Sequence, residues 1–146
     1  MTDGWVVIKS KENANEEIGL FTCDRVGASL ILAACSAGDA PSADLKVEFT
    51  DFTFNPNAFT IPAGQEITLV AANASAVMHE FVIMKLGATV GDDFGDEDEG
   101  NIYWEIEVES KTVTFTAPEA GEYQVVCGTE GHFVAGMVGS LTVVAP

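Results

Sequence analysis

From residue 44 onward, this 146-residue sequence predicts an all-β fold, an antiparallel sandwich or barrel of seven or eight short strands. Three observations carry that reading. Apolar residues recur with period two, the segments between them are rich in Gly, Pro, Asn and Asp, and nothing past residue 44 sustains a 3.6-residue apolar period.

The elements follow in order. Leu45-Lys46-Val47-Glu48-Phe49 alternates apolar and polar, as a half-buried strand does. The phase slips near Asp51 before Phe52 and Phe54 resume it, which suggests a bulge or a bend between two sheets. Ile61-Pro62-Ala63-Gly64 reads as a turn, followed by strand candidates at Glu66–Ala72 and Glu80–Leu86. Gly91 to Asn101 holds six acids in eleven residues. Its spacing lacks the regular oxygen positions and the twelfth-position glutamate of a calcium loop, so it reads as a solvated, mobile connection. Ile102–Glu109 and Thr112–Thr116 are the next strands, Ala117-Pro118-Glu119-Ala120-Gly121 is a turn, and Glu122–Cys127 and Ser140–Val144 complete the set.

Length allows one domain of ordinary size, and 47% apolar with 20% charged residues is a globular composition. Lys and Arg total 6 against 23 Asp and Glu, a formal charge of −17 that repels phosphate backbones and argues against nucleic-acid binding. Two histidines and three cysteines exclude multi-histidine metal centres, zinc ribbons and disulfide frameworks.

The amino-terminal segment has a different character. Ala28 to Cys35 is apolar except for Ser29 and too short to span a bilayer, but it fits the apolar core of an export signal, with Arg25 before it. Leu32-Ala33-Ala34-Cys35 resembles a bacterial lipobox, whose cysteine is lipidated and becomes the first mature residue. Residues 1–25 hold five acids and three bases, unlike a short basic leader, so residues 1–34 read as an export signal or a mis-assigned start. An ordinary apolar strand or helix ending in a buried cysteine is the alternative. Residues 35–43 are small, polar and Pro/Gly-bearing, a flexible tether ahead of a domain at 44–146. From Cys35 onward 18 acids face 3 bases, a balance of −15, so the acidity belongs to the folded domain.

The stretch from Glu122 to Gly139 carries the chemistry. A strand delivers Cys127, a loop with Gly128, Gly131 and Gly136 carries His132, and Met137 precedes Gly139 and the last strand. Thiolate, imidazole and thioether within eleven residues form a soft donor set that suits copper, and zinc is its main competitor. The second histidine, His79, stands just ahead of the strand Glu80-Phe81-Val82-Ile83.

On these residues the chain resembles the cupredoxins, the small blue copper proteins such as plastocyanin, azurin, rusticyanin and auracyanin. The resemblance runs from about Leu45 to Val144 and includes Tyr123 four residues before the cysteine, Gly136-Met137-x-Gly139, and Ile61-Pro62-Ala63-Gly64-Gln65. The Cys-x₄-His-x₄-Met spacing is closer to rusticyanin than to plastocyanin. The resemblance implies a Greek-key β-sandwich holding one copper ion, with His79, Cys127 and His132 as equatorial ligands and Met137 as the weak axial one. Many relatives carry Asn after the first histidine and Ser or Thr after the cysteine, a pair that pins the two ligand loops together. Here Glu80 and Gly128 stand in those places.

Four protein ligands leave no place for substrate, so the expected role is one-electron transfer and not catalysis. No histidine remains for a second copper centre, and a binuclear site would need a second cysteine in the loop. The family's docking patch would here be formed by Phe133, Val134, Ala135 and Val138 around His132, with the alternative that these residues only pack the loop. The acidic surface would steer a basic redox partner such as a c-type cytochrome or a membrane oxidoreductase to a monomeric carrier. A copper-storage or delivery protein is the other reading, distinguished by redox reversibility.

Overall fold

A computed structural model describes residues 40–146; residues 1–34, expected to be an export signal or a mis-assigned start, Cys35 and the first part of the expected tether lie outside the described residues. Among the described residues, nine strands form two sheets. They are β1 (Asp44–Thr50), β2 (Thr53–Asn55), β3 (Ala58–Pro62), β4 (Glu66–Asn73), β5 (His79–Met84), β6 (Ile102–Val108), β7 (Lys111–Thr116), β8 (Gly121–Val126) and β9 (Val138–Val144). One sheet has the order β2-β1-β4-β7, the other β3-β9-β8-β5-β6.

The sheets are mixed, where uniform antiparallel pairing was expected. β1 runs parallel to β4 and β3 parallel to β9, and the remaining neighbours are antiparallel. Alternation reports which face of a strand is buried but is silent on the direction of its neighbour, because both pairings share the two-residue side-chain period. The phase slip at Asp51 is a hairpin within one sheet and not a bend between two. Thr50 pairs with Thr53, leaving Asp51 and Phe52 as the turn, with Phe52 at φ 64°. Ile61 and Pro62 end an additional strand, β3, and the turn begins only at Ala63, with Gly64 at φ 68°. Pro62 is tolerated there because β3 is an edge strand.

The inward positions form one core. Val47 and Phe49 of β1, Ile67 and Leu69 of β4, Phe81 and Ile83 of β5, Val125 of β8 and Leu141 of β9 are all buried. Phe81 stands at the centre of an aromatic group, its ring 5.9 Å from Phe49, 5.5 Å from Phe54 and 5.7 Å from Phe59, all edge to face. Where the sheet edges meet, Trp104 of β6 stacks on Phe115 of β7 at 4.5 Å. A smaller cluster of Val82, Met84, Val90 and Val126 lies apart from this core, with Phe94 packed on it. The acidic connection thus keeps most of its carboxylates in water while Val90 and Phe94 hold it down. Asp98 is its buried acid, accepting from the Gly95 amide at 3.2 Å.

Replacing Phe81 with Ala removes the ring that the other three pack against. It should cost about 3–5 kcal/mol of stability, read from the denaturant midpoint of the metal-free protein. A loss below about 1 kcal/mol would show that the neighbouring rings close the cavity.

Candidate metal centre

Pairing of β8 with β9 builds the site. Val126 and Val138 are paired neighbours, so the loop between them must return to its starting point. Inside it, the Cys127 amide donates to the Met137 carbonyl at 3.1 Å, and the Met137 amide donates to the His132 carbonyl at 3.0 Å. The chain coils through a turn from Thr129 to Gly136, leaving that turn at Gly136 with φ 98°, a conformation that favours glycine. Three of the four expected ligand residues are thereby tied to one another by backbone hydrogen bonds.

His79 comes from the other side, at the start of β5. Its Nδ1 lies 3.9 Å from Cys127 Sγ, and His132 Nδ1 lies 3.3 Å from the same sulfur. Donor atoms of these three side chains all fall within 4.8 Å of one another, the one such cluster among the described residues. Spacings of 3.3 and 3.9 Å can be bridged by a single ion with bonds of about 2.0–2.3 Å. Cys127, His79 and Met137 are fully buried and His132 is 8% exposed. One thiolate and two imidazoles, with a buried thioether tied to the same loop, fit copper by the softness of the donors.

The protein environment prepares these donors. Burial lowers the basicity of His79, the nearby His132 lowers it further, and Asp51 opposes them, so the ring is held neutral with a lone pair to give. The ring of Phe49 lies 6.1 Å from that of His79, joining the site to the aromatic core. The Glu80 amide donates to Cys127 Sγ at 3.4 Å. This contact is made by backbone, so it is independent of which side chain follows His79. The Glu80 carboxylate fills the space that a β-carbon at position 128 would need, so Glu80 and Gly128 are complementary replacements. Burial pushes the Glu80 carboxyl up from its ordinary value, and Glu105 and Glu107 add to the shift. The two ligand loops are pinned instead where the Thr129 hydroxyl donates to the Met78 carbonyl at 3.3 Å.

Sequence spacing found the donors and missed what surrounds them. Phe52, at the hairpin tip, sets its ring edge to face on His132 at 5.1 Å. Of the four residues expected to flank His132 as a patch, Val134 and Ala135 are exposed and Val138 is partly buried. Phe133 turns inward to the cluster of Val82 and Val126. The exposed large apolar residues near the ligands are Phe52, Val77, Met78 and Val134. Ser75, whose hydroxyl lies 2.7 Å from His79 Nε2, was also missed; its one sequence signal is the Asn73-x-Ser75 turn pattern before the histidine.

The chain is similar to known copper proteins. Auracyanin-A of Chloroflexus aurantiacus is 29% identical over 136 residues, covering 72% of this chain and 84% of the relative. The copper-resistant cuproprotein CopI of Rubrivivax gelatinosus is 32% identical over 120 residues, covering 73% of this chain and 70% of the relative. Among solved structures, dithionite-reduced auracyanin from Roseiflexus castenholzii superposes with a TM-score of 0.61 at 30% identity, covering 72% of this chain and 99% of that one. Residues 41–144 match the family described as copper binding proteins of the plastocyanin/azurin type, and with the buried His79–Cys127–His132 cluster in place the chain belongs to that family, the cupredoxins.

Proposed function

We propose that this protein is a one-electron carrier of an electron-transport chain outside the cytoplasm, and not an enzyme. The observation that carries this reading is a donor set supplied wholly by protein and shut away from water, with His132, at 8% exposure, the most accessible member. Copper, when bound, supplies the Cu(I)/Cu(II) couple. His79, Cys127 and His132 would hold it, with the buried Met137 thioether as a fourth, weaker donor. The backbone bonds among Cys127, His132 and Met137 keep their donors in one arrangement, so little rearrangement accompanies a change of charge. Phe52 covers the His132 ring and, with Val77, Met78 and Val134, forms the apolar border at which a partner would dock.

A second reading, copper storage or delivery, is favoured by one finding, the likeness to a protein named for copper resistance. Voltammetry separates the two. The copper-loaded protein should show an intense visible band from Cys127 sulfur-to-Cu(II) charge transfer and a reversible one-electron wave. A colourless Cu(II) form or an irreversible wave would favour the second reading. Met137→Leu removes a weak donor of similar volume that helps Cu(II) more than Cu(I). It should keep the colour and raise the potential, by about 59 mV for each tenfold shift toward Cu(I); an unchanged potential would show that Met137 only packs the loop.

The partner is proposed to be a basic redox protein such as a c-type cytochrome or a membrane oxidoreductase. The support is the 18 acids against 3 bases from Cys35 onward. Electron exchange with a basic cytochrome should slow as salt rises, because exposed charges are screened within about 8 Å at physiological ionic strength. A rate indifferent to salt would assign docking to the apolar border alone.

Export and anchoring are proposed from the sequence: the apolar segment ending at Cys35, its lipobox-like close, and the tether behind it. The mature protein would then sit in the periplasm or on the outer face of the cell membrane, lipidated at Cys35. Intact mass of the protein from its host should show a chain beginning at Cys35 with added acyl mass. An unmodified chain that retains residues 1–34 would refute it.

A further inference from the structure

We infer that Ser75 is a positioning residue for the metal centre, accepting the Nε2 proton of His79 and so fixing the ring tautomer that presents Nδ1 to the metal. The inference rests on the copper reading and on a count of protons. A neutral imidazole carries one N–H. His79 Nδ1 faces Cys127 Sγ and the other donors, so when its lone pair binds metal the ring proton must sit on Nε2. The Ser75 hydroxyl is 2.7 Å from Nε2.

Ser75 can accept that proton because its own has another destination. Its hydroxyl donates to the Val77 carbonyl at 3.1 Å and accepts from the Val77 amide at 3.2 Å. One donor and two acceptor sites are a hydroxyl's full capacity, and all three are used when Nε2–H is the donor from the ring. In the other tautomer the hydroxyl would have to give its single proton to Nε2 and abandon the Val77 carbonyl.

The short loop between β4 and β5 is built to hold Ser75 there. Asn73 Oδ1 accepts from the Ser75 amide at 2.9 Å, while its Nδ2 donates to the Val77 carbonyl at 2.8 Å and reaches the Val108 carbonyl at 3.4 Å. The Asn73 amide in turn donates to the Ser110 hydroxyl at 2.9 Å. Position 75 is thus tied to the end of β4 and to the turn after β6 before it touches the histidine. Partners that orient a ligating imidazole typically contribute 10–100-fold to metal affinity.

The test compares wild type, S75A and S75T, each shown to be folded without metal by near-ultraviolet circular dichroism. Competition with a chelator should give S75A a copper affinity 10–100-fold below wild type, with S75T close to wild type. In the diamagnetic Cu(I) proteins, the His79 Nε2–H resonance should be protected from solvent exchange in wild type and S75T, and lost or fast-exchanging in S75A. S75A with wild-type affinity, or with Nε2–H still protected, overturns the role of Ser75. Wild-type protein that takes up no copper instead refutes the reading beneath it.

Discussion

The pairing of Val126 with Val138 is the constraint from which the metal centre follows. Once those two residues are neighbours, the residues between them have to form a closed excursion at the end of the sandwich, and three of the four expected ligand residues lie on it. The excursion is tightened by amide-to-carbonyl bonds that run from Cys127 to Met137 and from Met137 to His132. β5 lies next to β8 in the same sheet, so His79 arrives at that end without a separate device. The ligands are therefore positioned by sheet hydrogen bonds, whose cooperative stability is that of the whole core. A site built this way exists before the metal does, which is the condition for a small structural response to a change in charge.

Prearrangement has a cost, because two imidazoles and a thiol are held in a dry interior. A buried polar group without a partner is destabilising by a few kcal/mol. The cluster meets that cost with its own hydrogen bonds: His79 Nε2 with Ser75, Cys127 Sγ with the Glu80 amide, and His132 Nδ1 with Cys127 Sγ. Among the described residues no buried side-chain nitrogen or oxygen lacks a partner. The aromatic core reaches the same place from below, through Phe49 against His79, while Phe52 covers His132 from outside. Packing and polar pairing thus close around the same donors.

Much of this was legible from the residues. The strands of the main core show as alternation because one face of each is buried, and the donors show because the chain has only two histidines and sets one of them five residues from a Cys and five from a Met. What was hidden has physical reasons. β3 was obscured by Pro62, which reads as a breaker unless the strand is known to lie at an edge. Phe52 looked like a resumed strand because an aromatic at a left-handed turn position is uncommon. Parallel pairing of β1 with β4 leaves no mark in a two-residue period. Ser75 and Thr129 act on residues that only the fold brings near, and no spacing rule anticipates such contacts.

The departures at Glu80 and Gly128 show why the ligand set tolerates change around it. A side-chain pin between the two loops is replaced by one made with Thr129, whose acceptor is a backbone carbonyl, that of Met78. The hydrogen bond to the cysteine sulfur is given by the amide of residue 80, which every residue but proline supplies. Side chains at these positions are then free to vary in charge as long as they fit, and Glu80 fits because position 128 has no β-carbon. The exchange is not neutral electrostatically: it sets a carboxyl group against Gly128, next in sequence to the ligand cysteine, and near Glu105 and Glu107 on β6. Backbone contacts preserve the geometry of the donors, and side chains around them adjust the electrostatic field at the site.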